Sequence, residues 1–270
     1  MGDIAPADRP SSPLAHQIEA QTRDLDWTLA HFAFVANVTT LAAECDIAHS
    51  PAMSVASCHG MEQPALAFIG DSPELLADYA AFLADPGSEV YLLVNEEQRA
   101  VVQEAFHVLD VQPQWQMVFE GAPESLVASH ITRLTAEDLP AMQALARGEK
   151  LPFQTLARNP FDQGPAYGVW DKKRLVAMGT TNVRLPGAAQ IGNLVTRKDC
   201  RNRGYGTEVV SALVRDLTAE GLSAFLIVTQ SDIDVIRLFE QLGFARTRPM
   251  YLMHCVLREN ETGAAEKEKG

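Results

Sequence analysis

Residues 190–221 constrain this chain more than any other stretch. Gln190-Ile191-Gly192-Asn193-Leu194-Val195-Thr196 reads as a strand, and Arg201-Asn202-Arg203-Gly204-Tyr205-Gly206 as a basic, Gly-rich turn. Val209, Val210, Leu213, Val214 and Leu217 then recur at helical spacing, and Gly221 supplies the C-cap. A helix N-terminus presents backbone N–H groups without partners and carries partial positive charge, so it attracts anions. Two glycines let the main chain approach a ligand, because no Cβ stands in the way. Arg201 and Arg203 add full charge beside those amides. The pattern is that of a phosphate cradle, and it suits a diphosphate.

Two familiar cradles do not fit. A P-loop requires Lys-Ser or Lys-Thr after its second glycine, where this chain has Thr207-Glu208 after Gly206. The dinucleotide fingerprint requires a third small residue, and Val209 stands there instead. What remains, Arg-x-x-Gly-x-Gly between a strand and a helix, resembles motif A of the Gcn5-related N-acetyltransferases. Two further segments are similar to that family. Ala224–Thr229 reads as the next strand, and the helix after it ends in Leu238-Phe239-Glu240-Gln241-Leu242-Gly243-Phe244, with Phe239 where the family usually has tyrosine. Val195-Thr196-Arg197-Lys198-Asp199-Cys200-Arg201 resembles the strand-to-loop entry of FR47-like and glycine N-acyltransferase-like members. The resemblance spans roughly Ile131 to Leu257.

The resemblance implies an α/β (α+β) architecture with a mixed, mostly antiparallel sheet that splits between its central strands. It implies acetyl-CoA or another acyl-CoA as cosubstrate, no metal, and direct acyl transfer to a primary amine through a ternary complex. Larger acyl donors on glycine-like acceptors, or an inactive acyl-CoA-binding module, are the alternatives. The residues it assigns to the cosubstrate are Leu194, Val195, Thr196, Arg197, Arg201, Asn202, Arg203, Gly204, Tyr205, Gly206, Thr207, Asp232 and Phe239. Phe239 cannot donate a proton to a departing thiolate, so Tyr251 on the final strands is the candidate acid, with His254 next. Asp162 or a water chain is the candidate for the amine proton, and Phe153, Phe161 and Asp162 are candidates for acceptor contact. Because the family transfers the acyl group directly, Cys200 has no part as a nucleophile. Relatives of this kind often form homodimers.

Bulk properties narrow the partners. A net charge of -13 argues against nucleic acid, whose phosphates require an excess of Lys and Arg, and suits a small-molecule amine. No apolar run approaches the roughly 20 residues of a membrane span. Met1–Pro6 lacks the basic region and apolar core of a secretory signal, so the expectation is a cytoplasmic protein with its four cysteines reduced. Cys45, His49, Cys58 and His59 match no standard zinc spacing.

Along the chain, residues 1–13 and 260–270 read as flexible tails, 14–122 as a smaller α/β domain, and 128–259 as the catalytic domain. The smaller domain carries no motif A of its own and, by the resemblance, stands where two-part relatives keep a degenerate copy of the fold. Its expected elements are helix from Leu14 to about Glu44, irregular chain from Cys45 to Gln63 and a strand at Ala65–Ile69. A helix capped by Ser72 with Pro73 at its first position follows, then a strand at Val90–Val94, a helix near Glu96–Leu109 and a strand through Trp115, Met117 and Phe119. In the second part, strand Ile131–Leu134, a helix opened by Thr135-Ala136-Glu137-Asp138 and a hairpin across Lys172-Lys173 lead to the cradle strand.

Overall fold

Apolar residues at helical and strand spacing along this chain build an alternation of strands and helices. A computed structural model describes residues 13–58, 65–84, 87–150 and 160–257. They form two units that are not consecutive in sequence. Unit 1 takes the described parts of Met1–Gln21, His31–Gln112 and Met250–Gly270; unit 2 takes Thr22–Ala30 and Pro113–Pro249.

Unit 1 begins with α1 (Pro13–Gln21) and α3 (Phe32–Val38); α2 (Leu25–Ala30), between them in sequence, belongs to unit 2. A hairpin of β1 (Cys45–His49) and β2 (Met53–Cys58) follows, where irregular chain was expected. The alternation that marks a strand is missing because β2 is buried along its whole length and built largely of small residues: Ser54, Ala56 and Ser57 sit between Met53 and Cys58. The hairpin also corrects the expectation of four free thiols. Cys45 and Cys58 face each other across it and are joined as a disulfide, while Cys200 and Cys255 are free and buried.

The unit continues through β3 (Ala65–Gly70), α4 (Pro73–Leu83), β4 (Glu89–Asn95) and α5 (Glu96–Ala105). Ser72 caps α4 by accepting from the Leu75 amide at 3.3 Å, as its position predicts. Helix α5 stops at Ala105 rather than Leu109, because Phe106 already opens β5 (Phe106–Phe119). β3 and β4 are parallel for only two pairs, Ala65↔Tyr91 and Leu66↔Leu92. The far side of β4 is antiparallel to residues 250–256, from Met250↔Asn95 to Val256↔Glu89. The core between sheet and helices holds Phe68, Leu76, Leu92, Val102, Phe106 and Met253.

Unit 2 contains β6 (Thr132–Arg133), α6 (Leu139–Gly148), β7 (Ala166–Asp171), β8 (Arg174–Leu185), β9 (Ala188–Thr196), α7 (Tyr205–Ala219), β10 (Ser223–Thr229), α8 (Ile233–Gln241) and the first part of β11 (Phe244–Leu257). The turn before α6 closes as a capping box, with Asp138 accepting from the Thr135 amide at 2.8 Å. β7, β8 and β9 form an antiparallel meander. β9 and β10 are parallel for three pairs, ending at Gln190↔Phe225, and β10 is antiparallel to Gln114–Val118 of β5.

The two units repeat one scheme: strand, helix, parallel strand, helix, long strand. In each, the middle strand pairs with a long strand from the other half of the sequence. The expected boundary near residues 122–128 therefore does not separate the units; β5 completes the sheet of unit 2 and the end of β11 completes that of unit 1.

Candidate functional site

The cradle forms where β9 ends. β9 carries a bulge: Thr180 pairs with Gly192 and Met178 with Val195, so one extra residue is accommodated beside Asn193, whose φ is 51°. Asn193 is buried; its Nδ2 donates to Thr180 Oγ1 at 2.8 Å and to Asn182 Oδ1 at 3.3 Å, and its Oδ1 is buried without a partner. After the bulge, Leu194 packs against the core that α7 helps to form, and Val195 packs against the group containing Met142 and Met178. The Arg197 amide then leaves the strand by bonding to the Val176 carbonyl at 2.9 Å.

Beyond a short 3-10 turn (Lys198–Cys200), the chain turns through two left-handed residues, Asn202 at φ 62° and Gly204 at φ 81°. Gly204 is the N-cap of α7, and the first intrahelical bond runs from the Glu208 amide to the Gly204 carbonyl at 3.0 Å. The amides of Tyr205, Gly206 and Thr207 therefore precede any intrahelical acceptor. A Cβ on Gly204 would meet nothing within 4 Å, and one on Gly206 only Thr196 Oγ1 at 3.4 Å. Both glycines thus border open space at the positive end of a 15-residue helix.

Four cations, Arg197, Lys198, Arg201 and Arg203, crowd this turn. Arg197 pairs with Asp199 at 3.0 Å, and Arg174 approaches the same carboxylate at 3.4 Å. The hydrogen bond from Arg197 holds Asp199 below the ordinary carboxylate range. Arg203 donates to the Asp199 carbonyl at 3.2 Å. Arg201 donates through Nε to the Thr196 carbonyl at 3.1 Å and through Nη2 to Glu149 at 3.2 Å. Glu208, in the first turn of α7, accepts from the amides of Ser129 at 2.9 Å and His130 at 2.7 Å. Burial alone would raise its pKa, but these bonds and that from the His130 ring outweigh burial and hold it low.

The structure brings together Leu194 to Arg197 and Arg201 to Thr207, consecutive along one strand, turn and helix. Asp232 is the exposed N-cap of α8, with no side-chain cap bond. Phe239 is turned inward: it is 5% exposed and meets Phe244 edge-on at 5.7 Å between ring centres, so its ring is spent on core packing. Tyr251 belongs to unit 1. There its hydroxyl bonds to Glu96, which with burial raises its pKa, and Arg99 lies 4.5 Å from its ring centre. His254, also of unit 1, stacks on Tyr91 and bonds to Glu89 at 2.8 Å. Phe161 and Asp162 lie in the turn before β7, and Phe153 falls outside the described residues. Glu149 and Glu208 carry no motif that marks them in sequence; only the folded chain brings them to the cradle.

Among the described residues no group of three or more His, Cys, Asp or Glu could hold a metal ion, and no helix is long and apolar enough to cross a membrane. His59 lies outside those residues.

Residues 166–252, which include the cradle, match the model of the FR47-like protein family. No curated protein matches the sequence. A protein from Novosphingobium aromaticivorans described as a "putative acetyltransferase from the GNAT family" is similar in structure at a TM-score of 0.64 and 23% identity, over 86% of this chain and 99% of the other. A GNAT-family acetyltransferase from Colwellia psychrerythraea gives a TM-score of 0.60 at 15% identity, over 94% and 100%. A tandem GNAT protein from the clavulanic acid biosynthesis pathway gives 0.61 at 12%, over 90% and 96%. The chain thus has the fold of the Gcn5-related N-acetyltransferases, with an FR47-like segment at residues 166–252.

Proposed function

We propose that the protein is an acyl-CoA-dependent N-acyltransferase that moves an acetyl group from acetyl-CoA to a primary amine of a small molecule. The observation that carries this reading is the open N-terminus of α7, with two unobstructed glycines and arginines on the turn before it. The residues present fit the cosubstrate. Amides of Tyr205, Gly206 and Thr207, with Arg201 and Arg203, would hold the diphosphate. Beyond Gln190↔Phe225 the registered pairing of β9 with β10 ends, so Leu194 to Arg197 offer a strand segment along which an amide-bearing arm would lie. When bound, acetyl-CoA supplies an activated acyl group as a thioester.

The chain's own tasks follow from the chemistry. A main-chain N–H near the β9 bulge would stabilise negative charge on the thioester oxygen. The amine must reach the site deprotonated, although free alkylamines titrate near 10. Asn193, buried beside that bulge, is uncharged and cannot serve as a general base. Phe239 has no proton to give and the Tyr251 hydroxyl is engaged by Glu96; departure of a free thiolate is chemically feasible because thiols titrate near 8.5. The inward Phe239 also favours a second reading, an acyl-CoA-binding module without catalysis. Calorimetry with acetyl-CoA, combined with a thiol-release assay across a panel of amines, separates the outcomes. Binding with amine-dependent thiol release supports the enzyme, binding alone supports the module, and absence of binding by folded protein refutes both.

A further inference from the structure

We propose that Glu149 is an internal anion that holds Arg201 in the free protein and gives it up to a phosphate oxygen when coenzyme A binds. The inference rests on the cradle reading above. Glu149 is the C-cap of α6, far from the cradle in sequence, and its side chain is only 9% exposed. Its two oxygens grip the turn at separate points: Oε1 accepts from the Lys198 amide and Oε2 from Arg201 Nη2, both at 3.2 Å. Arg201 itself is half exposed. Its Nε is fixed on the Thr196 carbonyl, so the guanidinium is aimed before any ligand arrives.

A buried carboxylate and a phosphate make the same demand on a guanidinium, since both only accept hydrogen bonds. They also repel each other. The turn holds four cations, and Asp199 already engages Arg197 and the Arg203 side chain through its carboxylate and carbonyl. Glu149 therefore occupies the guanidinium that the diphosphate needs, and the diphosphate must displace it. Glu149 is in this sense a positioning residue: it keeps Arg201 extended towards the cradle and limits affinity, so that product coenzyme A can leave.

The test is calorimetric titration of the full chain with coenzyme A. Glu149→Gln keeps the shape and an acceptor for the Lys198 amide but removes the charge, and it is expected to bind about tenfold tighter at low salt. Glu149→Asp, too short to span the gap, is expected to tighten binding in the same direction and serves if the glutamine variant misfolds. In an Arg201→Gln background, Glu149→Gln is expected to change affinity less than twofold, which a merely structural role for Glu149 would not produce. Equal or weaker binding by both Glu149 variants, with coenzyme A still lost in Gly206→Val, overturns this inference and leaves the cradle standing. Wild-type affinity in Gly206→Val, or no binding by any folded variant, overturns the cradle reading and this inference with it.

Discussion

Valine at the two cradle glycines separates the backbone's need for glycine from the ligand's. Gly204 has φ 81°, a left-handed conformation in which a β-branched residue is strained. The cost is about 1–2 kcal/mol, or roughly 2–8 °C of melting temperature for a chain of this size. Gly206 has no such constraint. It sits in the first turn of α7, and a Cβ there would meet only Thr196 Oγ1 at 3.4 Å, an ordinary contact. Valine is slightly better than glycine in a helix, so Gly206→Val is expected to melt within about 2 °C of wild type. Both side chains nevertheless project into the space an anion must enter to reach the α7 amides. Losing even one charge-assisted hydrogen bond, worth about 1.5–3 kcal/mol, weakens binding roughly 10- to 100-fold. Scanning calorimetry supplies the stability and titration with coenzyme A the affinity. A Gly206→Val protein that melts normally and binds coenzyme A within threefold of wild type would refute the assignment of the anion to this helix.

Three further outcomes are expected. Burial and then the Asp216 carboxylate, 2.5 Å from its hydroxyl, push the Tyr167 phenol up to about 12. Its raised pKa makes its stabilisation complete below pH 10 and lost between about 10 and 12; urea midpoints of Tyr167→Phe should lack that part of the alkaline decline. Glu208 is the opposite case, with a depressed pKa, so its contribution is present above the usual carboxylate value and disappears as acid protonates it in the fold. Glu208→Gln is therefore expected to lower stability by about 1–2 kcal/mol at pH 7 and to flatten the acid limb of a denaturation series. A fragment of residues 128–259 lacks Gln114–Val118, the partners of Phe225–Thr229; it is expected to aggregate or to lack cooperative melting, whereas a fragment beginning at residue 113 should keep β10 paired.

How far the sequence could be read depended on the range over which each feature is determined. The cradle was legible because its chemistry is local: glycines, arginines and a helical stripe within 32 residues. The Ser72 cap and the Lys172-Lys173 hairpin were legible for the same reason, and both are present. β2 was not, because strand periodicity vanishes when both faces are buried and filled by serine and alanine. The start of β5 at Phe106 was hidden behind a continuing run of residues that also suit a helix. Tyr251 was singled out by residue type alone, and only folding shows its hydroxyl engaged by Glu96. The pairings of β4 with β11 and of β5 with β10 join residues more than 100 positions apart, and no local pattern encodes such choices.

Among the described residues the scheme occurs twice, but its two strand-to-helix corners differ. In unit 1 the corner between β3 and α4 is only Asp71-Ser72, and the helix start is satisfied by the Ser72 hydroxyl. A Cβ on Gly70 would lie 2.6 Å from the Ala52 carbonyl, so that corner is closed against neighbouring main chain. The divergence of β3 from β4 is bridged from within as well: Gln98, the capping-box residue of α5, donates from Nε2 to the Phe68 carbonyl at 2.7 Å. The matching corner of unit 2 is eight residues long, carries four cations and ends on Gly204, which like Gly206 in the first turn of α7 faces open space. A sheet that splits leaves main-chain groups to be satisfied by something. Unit 1 satisfies the Phe68 carbonyl with a side chain of its own, Gln98. Unit 2 instead ties Arg197 and Arg201 to the carboxylates of Asp199 and Glu149 and Arg203 to the Asp199 carbonyl, contacts that the proposed diphosphate would replace.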